Sequence, residues 1–151
     1  MMEIEHSLWV EAFRPQKIED CILTDDIKKV AKGIVESGKM PNLLMGGTAG
    51  TGKTTLAKII ASELDSEFFA LSAVTSGLKE LRQVIDRARS NQLMDKKTLL
   101  LVDEIHRWNR GQQDALLPYV ENGTIILIGA TTENPSFSVN GALLSRCQVI
   151  V

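Results

Sequence analysis

A chain of 151 residues with 44% hydrophobic side chains and a net charge of −2 is sized for one soluble globular domain, burying roughly 68–70% of its unfolded surface. That charge excludes a global field drawing the molecule onto DNA, so any nucleic-acid contact needs a local patch or an assembly. No apolar run approaches the roughly 18 residues of a membrane span, the start has no signal-peptide character, and the two cysteines, Cys21 and Cys147, lack zinc or C-x-x-C spacing, so reduced thiols in a cytoplasmic setting are expected.

Residues 1–24 read as an extended arm with apolar anchors, because Pro15 disfavours helix at Arg14. Plain packing accounts for Trp9 and Phe13. A functional reading has Phe13, Arg14, Pro15 and Ile22 cover the base of a nucleotide held by the loop at 47–54. Thr24-Asp25-Asp26 supplies a helix N-cap. Ile27, Val30, Ala31, Ile34 and Val35 then form a helical stripe to about Ser37, closed by Gly38.

Asn42-Leu43-Leu44-Met45 reads as a buried strand leading into Gly47-Thr48-Ala49-Gly50-Thr51-Gly52-Lys53-Thr54, which fits the phosphate-loop pattern G-x-x-x-x-G-K-[ST]. Thr55 to about Leu64 continues with apolar positions at helical spacing. This strand–loop–helix order is the context the pattern requires. Glycines turn successive backbone N–H groups inward, and the helix aims its positive end at the same point. Lys53 is then placed to reach the β- and γ-phosphates of ATP, and the Thr54 hydroxyl to ligate Mg²⁺.

Glu67 to Leu71 is a second strand. Ser76-Gly77-Leu78-Lys79-Glu80 opens a helix to about Ser90, with Leu78, Leu81, Val84, Ile85 and Ala88 on one face, and a polar connection follows from Asn91 to Lys97. Thr98 to Val102 is a continuous apolar run of the kind buried on both faces of a parallel sheet. A helix spans roughly Gly111 to Glu121, Thr124 to Gly129 is a strand, and Asn134-Pro135-Ser136 marks a loop. Val139 to Leu144 is a short helix, and Cys147 to Val151 is the last strand. Alternating strands and helices imply an α/β sandwich with a parallel sheet.

Chemistry gathers at the strand ends. Four apolar residues followed by Asp103-Glu104 match the second nucleotide-hydrolase signature. A carboxylate ending a buried strand suits a neighbouring cation, so Asp103 is expected to hold Mg²⁺ and Glu104 to act as general base on the attacking water. Both residues also cap helices well, which is the bland alternative. Thr132, after Gly129-Ala130-Thr131, could orient that water or touch the γ-phosphate if its strand lies between the other two. Arg146, before the last strand, is either a surface arginine or one that neutralises phosphoryl charge in a neighbouring subunit. His106 has only His6 as a second histidine, so helix-start packing or a relay from Glu104 is expected rather than a metal site. Arg107, Trp108 and Arg110 form a small basic–aromatic cluster, either a solvated turn or a DNA-backbone contact.

Together these residues resemble an AAA+ ATPase core, with Walker A at 47–54, Walker B at 99–104, sensor 1 at Thr132 and an arginine finger at Arg146. From about Phe68, the stretches 69–77, 103–109, 112–118, 120–124 and 129–137 are similar to the replication-associated recombination protein A family, which includes the Werner-helicase-interacting ATPase. The front, through Leu8–Pro15, Asp20–Leu23 and Gly38–Leu44, resembles the ATPase subunit of a phage-type sliding-clamp loader, which raises the expectation of either a fusion or a natural, divergent phage or bacterial member.

The resemblance implies a three-layer P-loop sandwich with a five-stranded parallel sheet of order 5-1-4-3-2. It implies ATP/ADP and Mg²⁺ as ligands, and an oligomeric DNA-stimulated ATPase in a bacterial or phage-infected cell whose Arg146 acts on a neighbouring subunit. Residues 1–151 then form one nucleotide-binding domain without the helical lid or assembly domains, so hydrolysis by this stretch alone is expected to be slow or absent. A catalytically silent scaffold and a clamp-loader fragment are the competing expectations.

Overall fold

Residues 29, 32–34, 36–37, 40–47 and 53–150 are described by the structure, a computed structural model, with Lys53 placed through its backbone alone. The elements, in chain order, begin with β1 (Leu43–Gly46), α1 (Lys53–Glu63), β2 (Glu67–Ser72), α2 (Leu78–Leu93) and β3 (Thr98–Asp103). A 3₁₀ turn (Ile105–Arg107), α3 (Arg110–Asp114) and α4 (Leu117–Glu121) lead into β4 (Ile126–Thr131). The chain ends through α5 (Pro135–Ser138), α6 (Gly141–Leu144) and β5 (Gln148–Ile150). The arm at 1–24, the N-cap at 24–26 and loop residues 48–52 lie outside the described residues.

Among the described residues one five-stranded sheet forms, in the order β2-β3-β4-β1-β5, with every pairing parallel. This is the expected order read from the opposite edge. The continuous apolar runs divide by parity, because successive strand side chains point to opposite faces. Leu43, Met45, Leu99, Leu101, Ile128 and Ala130 face one core with Leu56, Ala57, Ile60 and Ala61 of α1. Leu44, Leu100, Val102 and Leu127 face the other, with Leu81, Val84, Ile85 and Ala88 of α2. Two apolar layers on one sheet explain why β3 has no polar alternation: both of its faces are covered.

Several boundaries differ from the periodicity reading, each for a local reason. The helix expected over 111–121 is two short helices, since Pro118 lacks the N–H to continue a ladder but suits a first turn. α2 runs past Ser90 to Leu93, because Asn91 is buried, its Nδ2 donating to Thr98 Oγ1 at 2.9 Å and to Glu67 Oε1 at 3.3 Å. The expected loop at 134–136 holds α5, with Asn134 Oδ1 accepting from the Ser136 N–H at 3.0 Å. β4 starts at Ile126 because Thr124 is spent on a turn, its N–H donating to Asn122 Oδ1 at 2.9 Å.

Gly129 lies where the sheet leaves no room for a side chain. A Cβ there would lie 2.5 Å from Leu44 Cδ2 and 3.2 Å from Ile105 Cδ1. Leu44 belongs to β1 and Ile105 to the turn after β3, and both are fully buried. The missing side chain lets that turn lie down on the sheet. Gly129→Ala is therefore expected to cost about 1–3 kcal/mol through overpacking, read as a lower urea midpoint with an unchanged slope.

Candidate functional site

A parallel sheet collects all its C-terminal strand ends on one side, and here the register brings three of them into a row. Gly46 of β1 pairs with Thr131 of β4, and Val102 of β3 pairs with Gly129. The ends of β1 and β3 are thus two strand spacings apart, about 10 Å, with β4 between them. That is the condition on which the role of Thr132 depended. The chain leaves β1 through Gly47, whose φ of +133° belongs to glycine's range. Thr48 to Gly52 fall outside the described residues. α1 then opens at Lys53, with Thr54 exposed and Thr55 half-buried.

β3 is buried through Val102 and emerges at Asp103. Asp103 Oδ1 accepts the N–H of Glu104 at 3.0 Å. Glu104 itself sits in the left-handed region, φ 54° and ψ 43°, a conformation costing a non-glycine residue on the order of 1–2 kcal/mol. The turn beyond it is nailed into the core by Ile105 and by Trp108, whose Nε1 donates to the Ser76 carbonyl at 2.9 Å. Burial of Ile105 and Trp108 holds that conformation in place.

Glu104 is met from two sides. Thr132 Oγ1 donates to Glu104 Oε2 at 3.3 Å. His106 Nε2 lies 3.3 Å from the same oxygen and 3.8 Å from Glu133 Oε1. The other ring nitrogen, Nδ1, is 2.6 Å from Thr131 Oγ1, which also accepts the Glu133 N–H at 3.0 Å. The His106 side chain is only 8% exposed. Sequence reasoning singled out Thr132 and left His106 open between packing and relay; the parts of Thr131 and Glu133 were not anticipated. The paired hydroxyls of Thr131-Thr132 were the available signal, since adjacent strand residues serve opposite faces.

Arg146 lies at the other end of the sheet. It precedes β5, whose Gln148 pairs with Leu43 at the start of β1, and its carbonyl lies 3.5 Å from Asn42 Nδ2. Its guanidinium is paired with Glu121 Oε1 and donates through Nη1 to the Ala142 carbonyl at 2.7 Å. Arg146 is thus remote from the Asp103–Glu104 corner of its own chain. The basic–aromatic cluster needs correction: Trp108 is 2% exposed, so of these three residues only Arg107 and Arg110 are at the surface.

Comparison with known proteins decides the family. The model of the ATPase family associated with various cellular activities (AAA) matches residues 43–151. The chain belongs to the AAA family. It is 55% identical over 123 residues to Replication-associated recombination protein A of Haemophilus influenzae, covering 82% of this chain and 28% of that one. It is 51% identical over 142 residues to ATPase WRNIP1 of Dictyostelium discoideum, covering 92% of this chain and 16% of that protein.

Among solved structures, the RuvB Holliday junction branch migration motor of Thermotoga maritima superposes with a TM-score of 0.68 at 28% identity, over 91% of this chain and 47% of that one. The chain therefore spans under a third of the length of these two curated relatives. The alignment to the Dictyostelium protein runs through front and rear alike, so the expected clamp-loader front and the fusion find no support. Among the described residues no helix is long and apolar enough to cross a membrane.

Cys147, next to Arg146, is a free, half-buried thiol whose pKa burial pushes up to about 11. Alkylation of Cys147 near neutral pH should be at least about tenfold slower in the folded chain than in denaturant, as read by peptide mass mapping.

Proposed function

We propose that this chain is the ATP-binding and ATP-hydrolysing core of an AAA ATPase that works on DNA in replication-fork maintenance and recombination. The observation that carries the reading is the row of strand ends: a glycine exit at Gly47, the exposed Asp103 carboxylate, and a strained Glu104 held by Thr132. The printed names of the relatives at 55% and 51% identity, Replication-associated recombination protein A and WRNIP1, supply the process.

In this reading the backbone of 47–52 and the Lys53 ammonium hold the triphosphate. The Thr54 hydroxyl and Asp103 carboxylate would hold Mg²⁺, which when bound neutralises phosphate oxygens. The donor set fits that ion: a threonine hydroxyl and an exposed carboxylate are both oxygen donors, and Mg²⁺ takes its remaining ligands from phosphate and water. Glu104 accepts the proton of the attacking water, and Thr132 keeps the carboxylate and water aligned. Phe13, Arg14, Pro15 and Ile22 cover the base.

Arg146 points to assembly. It stands at the opposite end of its own sheet, so its charge serves the phosphate of a neighbouring subunit once it leaves Glu121. The chain alone therefore binds nucleotide and turns it over slowly. DNA engages the longer protein through an assembled surface, in keeping with the net charge of −2.

Calorimetric titration with ATP and Mg²⁺ is expected to give a binding isotherm that Lys53→Ala abolishes; equal heats for the two proteins would sink the nucleotide site. Arg146→Ala should leave that isotherm unchanged, yet lower phosphate release in the assembled longer protein by about 10³-fold or more. An unchanged steady-state rate would remove Arg146 from the active site.

A further inference from the structure

Resting on the reading of Glu104 as general base, we propose that His106 is a positioning residue. In its neutral Nε2–H form, anchored by the Thr131 hydroxyl, it pins Glu104 Oε2 and leaves Oε1 as the atom that takes the proton of water.

The tautomer follows from what surrounds the ring. Nε2 faces two carboxylates, Glu104 Oε2 at 3.3 Å and Glu133 Oε1 at 3.8 Å. A lone pair directed at two anions is repelled, so the hydrogen of the neutral ring belongs on Nε2. Nδ1 is then an acceptor, and the partner 2.6 Å away is the Thr131 hydroxyl, which donates to it. Thr131 is fully buried in β4, where it pairs with Gly46 at the exit of β1. The ring is thereby fastened to the strand that separates the phosphate-loop strand from the Asp103 strand. With the His106 side chain 8% exposed, water does not compete for either nitrogen.

The consequence lies in which oxygen of Glu104 is occupied. Thr132 Oγ1 and His106 Nε2 both converge on Oε2, each at 3.3 Å. Among the described residues no hydrogen bond reaches Oε1. One hydrogen bond from Thr132 and the nearby His106 Nε2 on the same oxygen draw negative charge there and orient the carboxylate plane, while the other oxygen keeps open lone pairs toward solvent. Thr132 alone would leave Glu104 free to turn about its χ angles. A second contact, from the His106 ring fastened to Thr131 of β4, removes that freedom. The backbone of Glu104 is already held left-handed by the buried Ile105; His106 does for the side chain what Ile105 does for the main chain.

Two histidines in the whole chain make the test direct. Long-range ¹H–¹⁵N correlation spectra of ¹⁵N-histidine-labelled protein at mildly alkaline pH should show one ring with a hydrogen-bearing Nε2 and an acceptor-type Nδ1, missing in His106→Gln. Thr131→Val, close in shape, should return that ring to the averaged pattern of a free histidine. An Nδ1–H pattern, or a spectrum indifferent to Thr131→Val, overturns the anchoring.

Single-turnover ATP hydrolysis by the assembled longer protein, in excess over nucleotide, then separates the two layers. Glu104→Gln must fall well below the native rate, and His106→Leu should lose about ten- to a hundredfold in rate with nucleotide affinity unchanged. His106→Gln, whose amide nitrogen reaches where Nε2 does, should recover most of the loss, which a packing role would not explain. If His106→Leu keeps the native rate while Glu104→Gln loses it, the positioning role alone is overturned. Equal rates for the native assembled protein and its Glu104→Gln variant overturn the general-base reading and this role with it.

Discussion

The insertion of β4 between β1 and β3 is the constraint on which the site depends. Parallel pairing of Leu43–Gly46 with Ile128–Thr131, and of Leu99–Val102 with Ile126–Gly129, sets three strand ends level. Each residue of strand advances about 3.3 Å, so a slip of two positions would carry Thr132 some 6–7 Å from Glu104 and undo the corner. Register is enforced by burial: every β4 side chain from Leu127 to Thr131 is inside, and a shift would expose apolar groups or bury polar ones. Gly129 adds a steric key, because Leu44 and Ile105 fit over it only where no Cβ projects.

Rigidity at this corner is local and asymmetric. The left-handed Glu104, a residue type with no intrinsic liking for that region, persists because Ile105 and Trp108 on its C-terminal side are locked in the core. The Asp103–Glu104 corner is thus built on strand ends and one short turn rather than on a long loop, which suits the positioned carboxylate of the proposed function. At the far end of the sheet the chemistry is of a different kind: Arg146 is an exposed ion pair with Glu121, worth little in water and easily exchanged for another anion. A sheet with a fixed carboxylate at one end and an exchangeable arginine at the other has the polarity needed for head-to-tail contacts between subunits.

Much of this was legible beforehand. The four-residue run of Leu99 to Val102 ending in Asp103-Glu104 announced a doubly covered strand with charge at its tip, since apolar continuity and a terminal acid are both properties of the chain itself. The helix of α1 and the apolar face of α2 were likewise visible as periodicity. What misled was local chemistry answered by distant partners. Asn91 looked like the start of a polar connection and is instead a buried bridge from α2 to Thr98 and Glu67. Trp108 looked available beside two arginines and is fully committed to the core.

By itself the sequence determined the element order, the parity that divides each strand between two cores, and which residue types end the strands, because these depend on neighbours within a few positions. Only the tertiary structure decided which oxygen of Glu104 is held, that Thr132 reaches it directly while Thr131 reaches it through His106, and that Arg146 stands away from the Asp103–Glu104 corner. Those relations join residues 25 to 28 positions apart or more. They exist only after parallel pairing has fixed the strand order and register, and no local propensity encodes a distance between strands.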